Sequence, residues 1–155
     1  MINKNALKAP KKKINSRRKS RELIMKGVYR ALVNQFDINK IKKDIQDDPD
    51  FIRADEAFYL EIMDGVFDNF DVLKKEIVTY LDKNYDELSP IELAIIYSSL
   101  YELKFSPSVP YRVVINEAIE VAKSFGGTDG YKFINGVLNK AAAANRKHEF
   151  ALKKN

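Results

Sequence analysis

The stretch PYRVVINEAIEVAKSFGGTDGYKFINGVLNK, residues 110–140, decides the fold, because it reads as two helices joined by a tight glycine turn. Pro110 suits the start of a helix, since the N–H that proline lacks would have no intrahelical partner there. A mostly apolar stripe at i, i+3 and i+4 spacing, interrupted by one carboxylate, consists of Val113, Val114, Glu117, Ala118, Val121, Ala122 and Phe125. Gly126 and Gly127 end this helix, because glycine adopts the left-handed conformation of a C-terminal cap without steric cost.

The second half of the stretch predicts another helix. Thr128 or Asp129 can cap it, because either side chain can accept a hydrogen bond from a backbone N–H of its first turn. Phe133, Val137 and Ala141 then recur at four-residue spacing and give the helix an apolar stripe. The whole stretch therefore predicts a helical hairpin.

Helical periodicity also describes most of the chain before this hairpin. We expect a first helix over about residues 17–36, a short one that starts at Asp37, and two more within residues 58–81. No pair of strands, internal repeat or low-complexity linker interrupts the pattern in the sequence. We therefore predict one all-α domain of about seven helices.

Residues 89–105 predict the most apolar helix, which we expect at the centre of the core. Ser89 suits its N-cap, Pro90 its first position, and Glu92 is placed to close a capping box with Ser89. Its apolar positions are Leu93, Ile96, Tyr97, Leu100 and Leu103. Two prolines within residues 105–110 end the pattern.

Charge is distributed unevenly along the chain. The net charge is +5, from 27 basic and 22 acidic residues, but the first 21 residues hold nine basic residues and no acid. These nine are Lys4, Lys8, Lys11, Lys12, Lys13, Arg17, Arg18, Lys19 and Arg21. A basic arm on an acidic body is typical of a protein that binds a polyanion.

The last cations of this run continue into a helix. Arg17, Arg18, Lys19 and Arg21 enter an amphipathic segment, so their charges are held on a helical surface. Cations at a helix N-terminus oppose the macrodipole, and local stability therefore does not explain them. We infer that an external anion does. The alternative, above all for residues 1–16, is a disordered, solubilising tail.

The residue inventory argues against an enzyme. The chain has no cysteine, which removes disulfides, thiolate catalysis and cysteine zinc sites. Its one histidine, His148, lies among charged residues near the end of the sequence, and no nucleophile, base and orienting group come together. We expect no cofactor and no metal. No apolar run reaches the length of a membrane span and no secretory segment follows the basic start, so we expect a soluble, cytoplasmic protein.

Several short motifs resemble the NusB family over residues 17–142. They are RRKSRE at 17–22, YEL at 101–103, VPY at 109–111, NEA at 116–118, KSFG at 123–126 and KFINGVL at 132–138. The resemblance implies an all-α fold of two packed three-helix bundles without enzymatic activity. It also implies a transcription antitermination factor that binds the boxA RNA of ribosomal RNA leader transcripts together with NusE, a small-subunit ribosomal protein, in the antitermination complex of RNA polymerase.

The resemblance further implies an RNA surface in two parts. The four cations within residues 17–21 resemble the cluster that contacts RNA phosphates. Asp129, Lys132 and Phe133 resemble the second part, where Phe133 can stack on an unpaired base and Asp129 can accept a hydrogen bond from a base edge. For Phe133, core packing beside Val137 remains the alternative.

Two further positions resemble those that face NusE in the family. They are Tyr29 and Glu92, although Glu92 is also the expected partner in the capping box. On this interpretation, residues 1–16 form a basic, disordered arm, 17–145 a NusB-like RNA-binding domain, and 146–155 a C-terminal tail.

Two other classes of protein compete with this interpretation. A similar helical domain precedes the catalytic part of some ribosomal RNA cytosine methyltransferases, but this sequence holds no cofactor-binding glycine loop and no catalytic cysteine, so we expect no enzyme of that kind unless the chain is a fragment. The second class is a non-catalytic helical interaction module whose basic arm docks on acidic partners. A salt-sensitive preference for one RNA sequence over a scrambled one would distinguish these classes.

Overall fold

The computed structural model describes residues 15–34, 37–125 and 130–152, which are almost entirely helical. The α-helices are α1 (Arg17–Val33), α2 (Ile38–Gln46), α3 (Glu56–Asp68), α4 (Phe70–Tyr80), α5 (Pro90–Phe105), α6 (Tyr111–Phe125), α7 (Gly130–Asn145) and α8 (Lys147–Leu152). Two short 3-10 helices, Pro49–Arg53 and Tyr85–Glu87, lie between them. The predicted all-α fold is confirmed, with eight α-helices in the described ranges where about seven were expected.

The helices form two packed groups around α5. Helices α2 and α3 both pack against α1, helices α5, α6 and α7 pack against one another, and the contact of α1 with α5 joins the two groups. This arrangement confirms the two three-helix bundles. Helix α5 also contacts α3 and α4, and its five predicted apolar positions are all buried. It is therefore the centre of the core, as its sequence predicted.

Side-chain caps fix where several helices begin. Ser16 accepts a hydrogen bond from the backbone N–H of Lys19 at 3.1 Å and starts α1. Asp37 caps α2, and Asp55 caps α3 through the N–H of Phe58. Each cap satisfies a backbone donor that has no partner within the helix. The short polar residues between the apolar segments therefore set the helix boundaries.

The capping box predicted for α5 is not formed. Ser89 occupies the N-cap position and Pro90 the first turn, but the Ser89 side chain makes no capping hydrogen bond. The Glu92 side chain lies instead against the start of α7, where a Cβ placed on Gly130 would be 3.3 Å from the Glu92 carboxyl carbon. Tertiary packing has thus drawn Glu92 away from the local contact.

The apolar face of α6 is turned relative to the predicted stripe. Val113 and Phe125 were expected to be buried but are 43% and 36% exposed, whereas Tyr111 and Ile115 are buried. Helix α6 packs against α5 and α7 at once, and this second contact extends the buried face towards Ile115. The middle of the predicted stripe, Val114 to Ala122, keeps its buried apolar positions.

The chain beyond residue 145 packs on the domain. The Arg146 guanidinium is buried and donates hydrogen bonds to carbonyl groups at the end of α5, including that of Leu103 at 2.8 Å. Glu149 accepts a hydrogen bond from the backbone N–H of Tyr111 at 2.7 Å and so caps α6. The segment expected as a tail therefore contributes caps to two central helices.

Some predicted features lie outside the described residues. They are residues 1–14 of the basic arm, Phe36, the glycine turn at Gly126–Gly127, and the caps Thr128 and Asp129. No helix in the described ranges is long and apolar enough to cross a membrane.

Candidate nucleic-acid interface

The cations at the start of α1 have carboxylate partners within the fold. Arg18 donates from Nε and one Nη to the two carboxylate oxygens of Glu117, at 3.1 and 2.6 Å. Arg17 Nε lies 3.7 Å from the Asp55 carboxylate. Both arginine side chains are about half exposed, at 54% and 52%. These two ion pairs therefore lie on the surface of the domain.

Lys19 is paired in the same way. Its ammonium lies 3.2 Å from Glu22 and 3.6 Å from Asp50. Counting the partners of Arg21 as well, four cations at the start of α1 meet five carboxylates. These internal carboxylates give the cations partners that the sequence did not indicate, and their contact with an external anion stays a prediction.

Arg21 lies in the core of the domain and not on its surface. Its Nε and Nη donate to the two oxygens of Glu102 on α5, at 3.0 and 2.8 Å, and its side chain is only 9% exposed. The guanidinium also lies 4.9 Å from the centre of the Phe58 ring. This pair joins α1 to α5, so the structure gives Arg21 a structural role where a phosphate contact was expected.

Glu117 is held in its ionised form by the same contacts. The Arg18 hydrogen bond lowers the pKa of the Glu117 carboxyl below its usual value, against the opposing effect of burial. A second guanidinium, that of Arg21, lies 3.7 Å away and acts in the same direction. At neutral pH the pair between Arg18 and Glu117 is therefore a pair of full charges.

The second part of the expected RNA surface lies on the first turns of α7. Lys132 is exposed there, and Phe133 is half-buried against the core. The ammonium of Lys83, from the segment between α4 and α5, lies 5.0 Å from the centre of the Phe133 ring. This geometry is a cation–π contact. Because the ring is partly accessible, it is compatible both with packing against the core and with stacking on a base.

A cleft of about 210 Å³ opens beside Phe133. It is lined by Tyr80, Asp82, Lys132, Phe133, Gly136, Val137 and Lys140. The Lys140 ammonium donates to the backbone carbonyl of Tyr80 at 3.2 Å and lies 3.5 Å from Asp82, which is 91% exposed. The cleft thus combines an aromatic ring with ammonium groups that solvent can reach.

Glu92 adjoins the α7 patch, by which we mean Lys83, Lys132, Phe133 and Lys140. Its carboxyl group packs against Gly130, the first residue of α7, and burial raises its pKa, opposed by the charge of Lys83. The residue expected to face NusE therefore lies beside the residues expected to face RNA. Asp129, the remaining member of the expected set, lies outside the described residues.

The two parts of the expected surface are separate patches. Arg18 meets Glu117 and Lys26 lies over the Phe125 ring, so α1 and α6 run in the same direction. Glu117 and Phe125 are eight residues apart, about 12 Å along the helix. Tyr29 follows Lys26 on α1 and is half-buried against the core, so it lies towards the end of α6, where Lys123 lies over the ring of Tyr131 on α7.

Two residues of these patches were missed by reasoning from the sequence. Lys83 lies in a segment without periodicity, and nothing in the sequence indicates that it reaches Phe133. Glu117 interrupts the apolar stripe of α6, and this interruption is the signal that could have identified it. Both were missed because their partners are distant in the sequence.

Comparison with known sequences gives one family. The sequence profile of the NusB family matches residues 18–143. The transcription antitermination protein NusB of Methylobacillus flagellatus is 50% identical over 135 residues, covering 87% of this chain and 88% of the relative. That of Neisseria meningitidis serogroup A is 44% identical over 134 residues, covering 86% and 95%.

Solved structures agree on the fold. T. maritima NusB superposes with a TM-score of 0.76 at 27% identity, covering 88% of this chain and 98% of that one. A crystal structure of antitermination factors NusB and NusE in complex with dsRNA gives a TM-score of 0.74 at 20% identity, covering 83% and 96%. At 20% identity the likeness concerns the fold alone. From the profile match and the 50% identity, the chain belongs to the NusB family.

Proposed function

We propose that this protein is a transcription antitermination factor that binds boxA RNA of ribosomal RNA leader transcripts together with NusE, in the cytoplasmic antitermination complex of RNA polymerase. Members of the NusB family are RNA-binding antitermination factors and not enzymes, so binding is the activity to be explained. Two relatives that support this proposal are both transcription antitermination proteins NusB, and this chain aligns with most of the length of each.

The α7 patch carries the proposal. Phe133 offers a partly exposed ring beside a cleft, with the Lys83 ammonium above it and Lys132 and Lys140 around it. A ring of this kind can stack on an unpaired base, while the ammonium groups attract the backbone. Stacking on single-stranded bases is how most sequence-specific RNA recognition works. We therefore expect this patch to supply most of the preference for boxA.

The start of α1 contributes phosphate contacts on its exposed side. Arg17 and Arg18 are half exposed, so each can turn part of its guanidinium towards a phosphate. Lys19 is less exposed, and Arg21 is held in the core by Glu102. We propose that the first three contact RNA and that Arg21 positions α1 beneath them.

The NusE surface is proposed to adjoin the RNA. Glu92 lies against the first residue of α7, and Tyr29 lies on α1 towards the same end. A partner bound at Glu92 would then be close to an RNA bound at Phe133. A solved complex that contains NusB, NusE and dsRNA together is consistent with one chain of this fold binding both partners at once.

Titration of boxA RNA and a scrambled RNA of equal length would test the proposal. Each should be measured with and without NusE at several salt concentrations. We expect a preference for boxA that NusE strengthens, and a steep loss of affinity with salt. Equal binding of both RNAs, unaffected by NusE, would contradict the proposal and favour a module that docks on acidic partners through charge alone.

A further inference from the structure

We propose that Glu117 is a specificity-determining residue, because its carboxylate occupies the edge of Arg18 that would otherwise bind the phosphate of any RNA. On this view the bidentate edge of Arg18 binds RNA only by exchanging the Glu117 carboxylate for a phosphate. The inference rests on the proposed function, since it concerns the α1 part of the RNA surface. The inference assigns a role to Glu117, which does not itself contact the RNA.

The geometry of the pair carries the first step. Arg18 uses Nε and one Nη, the bidentate edge of its guanidinium, for the two oxygens of Glu117. A phosphate prefers the same edge, because its oxygens match the guanidinium fork as a carboxylate does. Carboxylate and phosphate therefore compete for the same donors.

The exposure of the pair makes exchange feasible. Arg18 is 54% exposed, and ion pairs in contact with solvent are weak and are screened by salt. After exchange, Glu117 keeps a cationic neighbour, since an Nη of Arg21 lies 3.7 Å from it. The pair of Arg21 with Glu102 is buried and does not exchange. The fold thus separates an exchangeable pair from a fixed one.

Charge balance connects this exchange to specificity. Internal carboxylates cancel the cations at the start of α1, so a phosphate alone gains little attraction there. Phosphate attraction is independent of sequence and dominates non-specific binding. An RNA that also stacks on the α7 patch has additional binding free energy with which to displace Glu117. A scrambled RNA lacks that contribution and is discriminated against.

Replacing Glu117 by Gln tests the inference, with Glu120→Gln as the matched control. Both changes remove one negative charge from α6, but Glu120 is exposed and influences Arg18 through its charge alone. We expect Glu117→Gln to bind scrambled RNA several-fold more tightly, with a log–log salt slope steeper by about 0.7 for one added phosphate contact. The gain for boxA should be smaller, and Glu120→Gln should change either RNA only slightly.

A second variant extends the test to the neighbouring pair. Asp55→Asn removes the charge that faces Arg17 but keeps an amide oxygen able to cap α3. It should also strengthen binding of scrambled RNA and steepen the slope. Thermal melts of each variant would verify that the full chain is folded.

Two outcomes would overturn the inference. Unchanged binding of scrambled RNA by both variants would show that the carboxylates do not compete. Weaker binding by Glu117→Gln would show that Glu117 orients Arg18 for RNA. The proposed function fails in a different way, namely when the unmodified protein shows no preference for boxA.

Discussion

The start of α1 and the α7 patch both carry cations, but their surroundings differ. The cations at the start of α1 have carboxylate partners. Arg18 meets Glu117 at the surface, and Arg21 meets Glu102 in the core. On the α7 patch, Lys83 lies over an aromatic ring, and Lys140 lies against a backbone carbonyl and a highly exposed acid. A run of basic residues in a sequence is therefore not the same as a positive surface.

The comparison also separates charges that stabilise from charges that bind. Arg21 lies between two helices where water is excluded, so its pair with Glu102 is part of the packing. Phe133 lines a cleft on the surface, and the Lys83 ammonium lies 5.0 Å from the centre of its ring. If this division holds, removing a structural charge should lower stability, and removing a binding charge should lower RNA affinity.

Breaking the buried pair should have the largest effect. Glu102→Ala leaves the Arg21 guanidinium buried without its carboxylate, and such a change costs about 3–5 kcal/mol of unfolding free energy. Urea unfolding of the variant and the unmodified protein would measure the loss. Arg18→Ala, on the same helix but at the surface, should leave stability close to that of the unmodified protein.

A double variant sharpens this test. Arg21→Met with Glu102→Leu removes both charges and keeps apolar volume, so it should recover most of the lost stability. If Glu102→Ala is instead as mild as Arg18→Ala, the pair is not a fixed part of the core. The contrast between the two pairs of α1 would then be lost.

Phe133→Ala should have the next largest effect, on RNA binding. Loss of a stacking platform should weaken boxA binding by about 1–3 kcal/mol with little change in the salt slope. Because the ring is only half-buried, the loss of stability should be smaller than the roughly 3–5 kcal/mol of a fully buried phenylalanine. RNA titrations and thermal melts on the same preparation would separate the two effects.

One result would reassign the ring entirely. A variant that melts early but binds boxA normally when folded would make Phe133 a packing residue. The α7 patch would then resemble the start of α1, with its groups engaged within the fold.

The sequence was sufficient for the fold because helices depend mainly on local patterns. Ser16, Asp37 and Asp55 cap the helices that their neighbours predict, and the five apolar positions predicted for α5 are all buried. The predicted central position of α5 is likewise correct. Propensity, capping and periodicity all act within a few residues, and a single sequence contains that information.

The site was harder to predict because its contacts join distant parts of the chain. Arg18 and Glu117 are 99 residues apart, and Arg21 and Glu102 are 81 apart. No local pattern in the sequence indicates an ion pair between such distant residues. The basic residues at the start of α1 were therefore interpreted as charges without partners in the fold. The capping box failed for a similar reason, since Glu92 packs on α7 and not on its own helix terminus.

Lys83→Ala and Lys140→Ala test whether the α7 patch attracts the RNA backbone. Each should make the log–log salt slope of boxA binding shallower by about 0.7 if its ammonium neutralises one phosphate of a single strand. Lys75→Ala, an exposed lysine on α4 away from the lining of the cleft, is a suitable comparison. Unchanged slopes for both variants would remove these lysines from the RNA surface.

Glu92→Lys tests the proposed surface for NusE. Charge reversal beside α7 should weaken NusE binding several-fold, since an interfacial charge would then repel its partner. Stability should change little through capping, because Ser89 makes no side-chain cap in this structure. Pull-down with NusE, compared with thermal melting, would measure both. Unchanged NusE affinity would leave Glu92 with packing against Gly130 as its role.

The stability contributed by Glu117 and by Glu92 should differ slightly in its pH dependence. Arg18 lowers the pKa of Glu117, so its ionised form stabilises the fold above its unfolded pKa, near 4.3, and this contribution is lost as pH falls through the folded value. Burial raises the pKa of Glu92, so its ionisation costs stability as pH rises through the folded value. Relative to its Gln variant, Glu117 should therefore lose stabilisation as the pH falls below its unfolded pKa, whereas Glu92 should lose stabilisation as the pH rises above its unfolded pKa. Urea unfolding of Glu117→Gln and Glu92→Gln on both sides of that pKa would measure both differences. If the difference in unfolding free energy changed with pH in the same direction for both variants, the two carboxylates would not have contrasting surroundings. Glu117 would then not be distinguished by its pairing with Arg18, nor Glu92 by its burial beside the α7 patch.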